Sequence, residues 1–342
     1  MGSNVRVAVI GVGSMGRHHV RVYSELDGVE VVGIADLSID ACAPLARRYN
    51  CPAYSDYRKL LDEQKPDAVS IAVPTAQHLE VACEVAQRGI HMLIEKPIAH
   101  TIQHAREIID ICSRNGVVLA VGHVERFNPS VRAVKEKIAS GELGRVFHIE
   151  ARRQGPFPSR VRDIGVAVDL AVHDIDVMRY ITGSEVTRVY AEIDNRVHTD
   201  HEDSLSAVLR FSKGEVGALA VSWLSPTKMR ELLVTGERGM FRVDYLTQDL
   251  YFFENAILAD YGWETLQILR GVSEGKMVRY ALNKKEPLRS ELEAFLECMR
   301  GGTSSIVSGS DGLEALKIAL ALVASGRENE AVHLPLFGMS NS

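Results

Sequence analysis

The chain has 342 residues, of which 46% are hydrophobic and 25% charged, and its formal net charge is −6. This is the composition of a globular protein long enough for two domains, and its acidic balance gives no reason to expect a nucleic-acid partner. The most apolar helical stretch, around residues 313–324, is interrupted by Lys317, so a membrane span is not expected.

Five cysteines occur without a CxxC pair, which gives no disulfide framework. The first residues have neither the basic start nor the apolar core of a signal peptide, so we expect a cytoplasmic protein. The segment HTDHED, residues 198–203, lacks the spacing of a metal site and is interpreted as a polar turn. No bound metal is expected.

The first 122 residues alternate short apolar runs with helical patterns. A helical pattern over residues 102–115, for example, ends at Gly116. Continuous apolar runs separated by helices are typical of a parallel sheet covered on both faces. The alternation therefore predicts an α/β domain with a doubly wound parallel sheet over residues 1–122. The apolar runs cover residues 5–10, 29–35, 68–73, 91–94 and 117–121.

The pattern changes after Gly122. Helical patterns cover residues 129–140 and 166–180, and strand-like runs with short turns follow them. Neighbouring strands without helices between them predict a mainly antiparallel sheet, so residues 123–342 are expected to form an α+β domain. Two amphipathic helices close the chain. The strand-like runs cover residues 187–193, 204–211, 215–223, 231–235 and 240–245.

The segment VRVAVIGVGSMG places a strand directly before a GxGxxG pattern. In this pattern Gly11 makes the tight turn, Gly13 lets a pyrophosphate approach the backbone, and Gly16 allows close contact between helix and strand. The N-terminus of the following helix directs its N–H groups at the phosphates. We therefore expect a dinucleotide to be bound by Gly11, Gly13, Ser14, Met15 and Gly16.

The second strand ends at Asp36, 20 residues beyond Gly16. An acidic side chain at this distance is expected to bind the ribose hydroxyls of the dinucleotide. Leu37 and Ser38 follow, and no arginine adjoins Asp36 to hold a 2′-phosphate. The sequence therefore predicts NAD as the cofactor in preference to NADP.

Three motifs in order resemble a known family. They are the glycine loop GVGSMGRHH, the tripeptide EKP at residues 95–97, and DLAVHDID at residues 169–176. Over essentially its whole length, the chain resembles the Gfo/Idh/MocA oxidoreductases. The resemblance implies a Rossmann domain followed by a substrate-binding and oligomerisation domain with an open sheet. It also implies homo-oligomers and NAD-dependent oxidation of a sugar-like hydroxyl.

The same resemblance implies a catalytic group at Lys96, Asp169 and His173, with Glu95 and Lys96 also at the cofactor. Asp169 and His173 are four residues apart in a predicted helix and so share one face, as ordinary surface pairs also do. Histidine titrates near neutral pH and can take a proton from a hydroxyl. Lys96 follows a strand, and its positive charge would lie near a developing alkoxide.

The segment VPTAQH, residues 73–78, would line the cofactor through Pro74, Thr75 and His78, as the resemblance implies. The family often has Thr-Pro-Asn here, so Val73 and Thr75 depart from its pattern. His78 fits equally well as the first residue of a helix.

The substrate side is indicated by two segments. The segment VGHVERFNP, residues 121–129, most resembles that of family members that act at C3 of UDP-N-acetylglucosamine. This resemblance implies that Arg126 and Asn128 contact the substrate. Glu125 is equally consistent with a position in the substrate cleft and with one in a solvated linker. A Gly/Pro-rich loop before the helix of His173 carries four arginines, whose guanidinium groups suit a diphosphate. A solvated basic loop or an oligomer contact would explain them too. These four are Arg152, Arg153, Arg160 and Arg162.

The leading hypothesis is therefore an NAD-dependent dehydrogenase acting on C3 of UDP-N-acetylglucosamine. An unphosphorylated sugar or inositol dehydrogenase is the enzymatic alternative. A non-catalytic sensor of NAD and sugar is a further alternative, because fold does not determine function. The presence of Lys96, Asp169 and His173 together favours an enzyme.

Overall fold

The computed structural model describes residues 4–158, 164–197, 200–256, 274–302 and 306–335. The chain divides into two compact units. One comprises residues 1–124 and 286–317, and the other comprises residues 125–285 and 318–342. The chain first passes between them close to the predicted boundary after Gly122, but residues 286–317, expected in the second domain, belong to the first unit.

The apolar runs of the first unit form a parallel sheet of six described strands in the order β3-β2-β1-β4-β5-β6. Its central residues, such as Val9, Ile71 and Ile94, are fully buried, which confirms the predicted doubly wound sheet. The strands are β1 (Val5–Ile10), β2 (Val29–Ala35), β3 (Ala53–Tyr54), β4 (Ala68–Ile71), β5 (His91–Glu95) and β6 (Leu119–Gly122). The helices are α1 (Gly16–Ser24), α2 (Ile39–Tyr49), α3 (Tyr57–Gln64), α4 (His78–Gln87) and α5 (Ile102–Arg114).

A helix from late in the chain completes the first unit. Leu292 and Phe295 lie on the apolar face of this helix and join the buried cluster that contains Tyr23 of α1. Periodicity predicted the helix but not its partner, because an amphipathic pattern identifies an apolar face and not the surface that it meets. In chain order this helix is the eighth, Pro287–Met299.

The second unit contains a sheet of nine described strands. β7 and β10 are parallel, and the other neighbours are antiparallel, which confirms the predicted mainly antiparallel sheet. The strands are β7 (Val146–Pro156), β8 (Val186–Asp194), β9 (Ser204–Phe211), β10 (Val216–Ser222), β11 (Leu224–Gly236), β12 (Gly239–Asp244), β13 (Asp249–Asn255), β14 (Glu274–Tyr280) and β15 (Val332–His333). The remaining helices are α6 (Pro129–Ala139) and α7 (Val172–Thr182) of the second unit, α8 (Pro287–Met299) of the first, and α9 (Gly309–Glu328), which belongs to the first unit up to Lys317 and to the second from Ile318.

Strand β7 corrects a prediction. The sequence indicated a Gly/Pro-rich loop from Arg152 onward, but residues 152–154 pair with β10 on one side and β11 on the other. Ile149, Ala151 and Arg153 point to the buried face, and Arg152 points to the opposite face. Because Arg152 and Arg153 are adjacent charged residues, the hydrophobic alternation that would indicate a strand is interrupted here.

The two faces of the nine-stranded sheet differ. On β9, Leu205 and Leu209 are buried, whereas Val208 between them is 52% exposed. Helix α7 packs against β7 on the buried face. The described part of the chain therefore leaves the Val208 face of the sheet open to solvent.

Among the described residues, no helix is long and apolar enough to span a membrane. All five cysteines are described and are free thiols. Within the same ranges, no group of histidine, cysteine and acidic side chains is arranged to hold a metal ion.

Candidate functional site

The glycine loop after β1 contains two glycines that the packing of the protein requires. Gly11 has φ +87°, and an added Cβ would lie 2.6 Å from the backbone of Ala72. At Gly16 a Cβ would lie 1.8 Å from the carbonyl oxygen of Gly11. A Cβ at Gly13 would meet no atom of the described chain within 4 Å. The loop therefore leaves open space at Gly13, next to the start of α1, as close approach of a pyrophosphate requires.

Asp36 lies directly after β2, at the same carboxyl edge of the sheet. Its Oδ2 accepts a hydrogen bond from the backbone N–H of Val12 at 2.9 Å, and its Oδ1 accepts one from Ser38 at 3.0 Å. Each carboxylate oxygen keeps a further lone pair for a ribose hydroxyl. The next side chain, Leu37, is 82% exposed and uncharged. The loop and Asp36 thus fit a dinucleotide without a 2′-phosphate.

The segment after β4 holds three further predicted cofactor residues. Pro74 is exposed, and Thr75 begins a short 3₁₀ turn. His78 is buried, and its two ring nitrogens lie 3.2 Å and 3.1 Å from the carbonyl oxygens of Ile98 and Val73. Burial lowers the pKa of His78. His78 thus links the segments that follow β4 and β5.

Glu95 is the last residue of β5 and Lys96 follows it at the same edge, but their surroundings differ. Glu95 is buried, and its Oε1 lies 2.9 Å from Nε2 of His19. Its Oε2 accepts a hydrogen bond from the Lys96 backbone N–H at 3.3 Å. Burial raises the pKa of Glu95, but the hydrogen bond and charge of His19, with the charge of Lys96, outweigh it and leave the pKa below its ordinary value. The Lys96 side chain is half-buried.

In the second unit, Asp169 and His173 lie at the start of the α7 helix. Residues Ala167–Ala171 form a π-helical turn, and α7 continues from Val172. The Asp169 side chain is buried and that of His173 half-buried. The sequence predicted a regular helix here. A π turn inserted into an α-helix is uncommon and is frequently found at functional sites.

The start of this helix is fixed by Glu202. The Oε1 of Glu202 accepts a hydrogen bond from Ala167 N–H at 3.1 Å, and its backbone carbonyl accepts one from Val166 at 2.9 Å. A Cβ at Gly165 would lie 2.0 Å from Oε1 of Glu202. Gly165 therefore leaves the room that the carboxylate occupies. The end of the segment interpreted as a polar turn is thus the cap of the helix that carries Asp169 and His173.

Arg153 lies at the centre of a buried ionic cluster. Its Nε and Nη2 donate to both carboxylate oxygens of Asp174 at 2.6 Å and 3.0 Å, and Nη1 donates to Glu125 at 2.9 Å. Burial lowers the pKa of Arg153, but Asp174 and Glu125 outweigh it and leave the pKa raised. Only 2% of Arg153 is exposed. Arg153, which was predicted to bind a diphosphate, is therefore bound by Asp174 and Glu125 inside the fold.

Two other predicted substrate residues also have partners within the fold. Arg126 donates two hydrogen bonds of 2.6 Å to the buried carboxylate of Asp176. Asn128 is buried, caps α6 by accepting from Ser130 N–H at 3.2 Å, and donates to the carbonyl of Tyr245 at 3.1 Å. Each contact is made within the second unit.

The described structure does not place the remaining predicted arginines beside His173. Arg152 points to the open face of the sheet, where it donates to Glu150 at 3.1 Å. Arg160 and Arg162 lie outside the described residues.

Arg230, which no sequence pattern marks, lies on the same face of the sheet as Arg153 and within range of the charge of Asp169. It is directly opposite Arg153 on the neighbouring strand β11, so both side chains are on the same face. Its Nη1 lies 3.6 Å from Oε1 of Glu125, and its side chain is 34% exposed. Burial, followed by the charge of Arg153, lowers the pKa of Arg230, whereas the negative charges of Glu125, Asp174 and, to a smaller extent, Asp169 oppose this. A single arginine in the middle of a strand gives no signal in the sequence.

Comparisons with known proteins agree with both units. The model of an oxidoreductase family with an NAD-binding Rossmann fold matches residues 5–123, and that of the GFO/IDH/MocA C-terminal domain matches residues 131–242. A UDP-N-acetylglucosamine 3-dehydrogenase of Acidithiobacillus ferrooxidans is 30% identical over 93% of this chain and 96% of its own. Its solved structure superposes with a TM-score of 0.83 at 29% identity, over 95% of this chain and 98% of that one.

A myo-inositol 2-dehydrogenase of Thermotoga maritima is also similar, with 27% identity over 96% of this chain and 98% of the relative. Both family models together match more than half of the chain, and the strand order of the first unit is that of a dinucleotide-binding sheet. The chain therefore belongs to the Gfo/Idh/MocA family of oxidoreductases, and its first unit is an NAD-binding Rossmann domain.

Proposed function

We propose that this protein uses NAD to oxidise the C3 hydroxyl of UDP-N-acetylglucosamine to the 3-keto nucleotide sugar. The substrate part of the proposal is supported by the relative with that activity in its name, which aligns over nearly the whole of both chains. The cofactor would be held by residues 11–16, Asp36, Pro74 and Thr75, with Lys96 beside it.

One observation carries the chemical part: a half-buried imidazole, His173, follows a buried carboxylate, Asp169, by four residues across a π turn. A ring nitrogen of His173 would take the hydroxyl proton, a step whose assistance is typically worth about 10²–10⁴-fold in rate. Asp169 would orient the substrate or the imidazole. The positive charge of Lys96 would stabilise the developing alkoxide. When bound, NAD supplies the acceptor for the hydride.

Arg230 belongs to the proposed substrate site. Its guanidinium is partly exposed and close enough to Asp169 for their charges to interact. A carboxylate that accepts from a hydroxyl and a guanidinium that donates to an oxygen together suit a sugar ring with its substituents. A diphosphate would then be bound by Arg160 and Arg162, while Arg152 and Arg153 play no part.

A second candidate is oxidation of an unphosphorylated sugar or an inositol. It is favoured by the positions of Arg152 and Arg153, which remove two of the four cations predicted for a diphosphate. The similarity to a myo-inositol 2-dehydrogenase also supports it. The non-catalytic sensor is less well supported, because Lys96, Asp169 and His173 are all present.

The test is reduction of NAD, followed by NADH absorbance, with UDP-N-acetylglucosamine, UDP-glucose, N-acetylglucosamine and myo-inositol as substrates. UDP-N-acetylglucosamine should give the highest kcat/KM. His173→Gln should lower kcat by about 10²–10⁴-fold without weakening NAD binding in a calorimetric titration. Preference for myo-inositol would establish the second candidate. Binding of NAD without its reduction by any substrate would favour the sensor.

A further inference from the structure

A chain of buried polar groups lies beneath the carboxyl edge of the Rossmann sheet, and neither the glycine loop nor the proposed chemistry accounts for it. His19 of α1 is fully buried and uses both ring nitrogens: Nδ1 lies 2.9 Å from Ser70 Oγ, and Nε2 lies 2.9 Å from Glu95 Oε1. Ser70 Oγ in turn lies 3.0 Å from the hydroxyl of Tyr23. Helix α1 is thus joined through side chains to β4 and to the last residue of β5.

The direction of these hydrogen bonds follows from what each group can donate. The ionised carboxylate of Glu95 only accepts, so Nε2 of His19 donates to it. In the neutral tautomer that donates through Nε2, Nδ1 accepts from Ser70, whose oxygen accepts from Tyr23. Every member is satisfied in this arrangement, and a fully satisfied buried network holds its members in one geometry.

The other end of this hydrogen-bond network is the backbone of Lys96. The Lys96 N–H donates to Oε2 of Glu95 at 3.3 Å, so one carboxylate receives both His19 and the residue proposed to act in catalysis. The neighbouring strand leaves room for it, because a Cβ at Gly122 would lie 3.1 Å from the Glu95 carboxylate. The Glu95 carboxylate also brings a negative charge close to the ammonium group of Lys96.

We propose that His19 and Glu95 are positioning residues for Lys96: His19 holds the Glu95 carboxylate, and the carboxylate holds the Lys96 backbone at the carboxyl edge of the sheet. The proposal rests on the proposed function in so far as Lys96 acts in it. Because His19 lies on the helix that begins at the glycine loop, one helix would then determine the positions of both the pyrophosphate site and the lysine. Glu95, predicted from the sequence to bind the cofactor, acts through Lys96 instead.

Two substitutions at one position separate positioning from simple stability. In His19→Gln the side-chain amide reaches the position of Nε2 and can still donate to Glu95. In His19→Asn the amide reaches only the position of Nδ1, so Ser70 keeps its partner and Glu95 loses it. Tyr23→Phe is the matched control, because it removes a hydroxyl from the far end of the same network.

The first readout does not need activity. Amide hydrogen exchange at Lys96 should become faster by about 10-fold or more in His19→Asn and in Glu95→Ala, and stay near wild type in His19→Gln and Tyr23→Phe. The second readout is steady-state kinetics, in which His19→Asn and Glu95→Ala should lower kcat by about 10-fold or more with little change in the calorimetric affinity for NAD.

Equal behaviour of His19→Gln and His19→Asn in both readouts, whatever their melting temperatures, would overturn the proposal. So would unchanged Lys96 exchange in Glu95→Ala, which has no acceptor for the Lys96 N–H. Failure of the proposed function is a separate outcome. In that case the wild-type protein would not reduce NAD with any of the sugars tested, while the hydrogen-exchange comparison would still decide the positioning proposal.

Discussion

The same residue type has different roles at adjacent positions of the second unit. Arg152 and Arg153 are neighbours in sequence but lie on opposite faces of β7. Arg153 and Arg230 are far apart in sequence but are paired on the adjacent strands β7 and β11, on one face of the sheet. Arg153 is held by two carboxylates and is buried, while Arg230 has one longer ion pair and remains partly exposed. Exposure and partners, rather than residue type, decide which arginine is available to a substrate.

Arg230→Gln should therefore raise the KM for the sugar substrate. Loss of a hydrogen bond from a charged group costs about 1.5–3 kcal/mol, which corresponds to a rise of about 10- to 100-fold. Arg152→Gln is the matched control and should leave KM unchanged, because its guanidinium lies on the other face of the sheet. An equal rise in both variants, measured by steady-state kinetics on folded protein, would contradict the assignment of Arg230.

At the scale of elements, the sequence predicted what depends on local geometry. The glycine loop and Asp36 were predicted because a strand, a tight turn and a helix follow each other directly in the chain. The partner of α8, strand β7 and the ionic cluster around Arg153 were not, because each depends on residues distant in sequence, such as Glu125 for Arg153. The π turn was also missed, since hydrophobic spacing in so short a segment does not distinguish it from an α-helical turn.

The cap on the helix of His173 gives a prediction at this scale. Gly165→Ala should displace the Glu202 carboxylate, because the new Cβ would lie within 2.0 Å of its Oε1. The expected result is a lower melting temperature and a fall in kcat of about 10-fold or more, since small displacements of a catalytic group are costly. Loss of a helix cap typically destabilises a protein by about 0.5–2 kcal/mol.

Gly155→Ala serves as the control for this substitution, because a Cβ there would make only ordinary contact, 3.6 Å from Lys228. Glu202→Gln should keep most of the activity, as its side-chain oxygen can still accept from Ala167. The role of the cap would be refuted by a Gly165→Ala variant with wild-type kcat and melting temperature.

At the scale of the whole molecule, the open face of the nine-stranded sheet is the surface that we expect to form an interface. Val208 and Tyr190 lie opposite each other on this face and are 52% and 39% exposed. Large exposed apolar patches on a sheet commonly mark protein interfaces. We therefore expect a homo-oligomer that covers this face with further copies of the chain.

Val208→Asp should shift the protein towards the monomer in sedimentation equilibrium, because a carboxylate would be buried without a partner at the interface. Leu246→Asp, at a 50% exposed residue in the turn after β12, is the control and should leave the assembly intact. A wild-type protein that sediments as a monomer at all concentrations would rule out this account of the open face.

The most direct test of the central claim is to follow one hydrogen atom. UDP-N-acetylglucosamine carrying deuterium at C3 is incubated with the wild-type protein and NAD, and the reduced cofactor is analysed by mass spectrometry. The account predicts that NADH carries the deuterium, and that substrate labelled only at C4 gives unlabelled NADH. NADH formed without deuterium from the C3-labelled sugar, or no NADH from a protein that binds NAD, would contradict it.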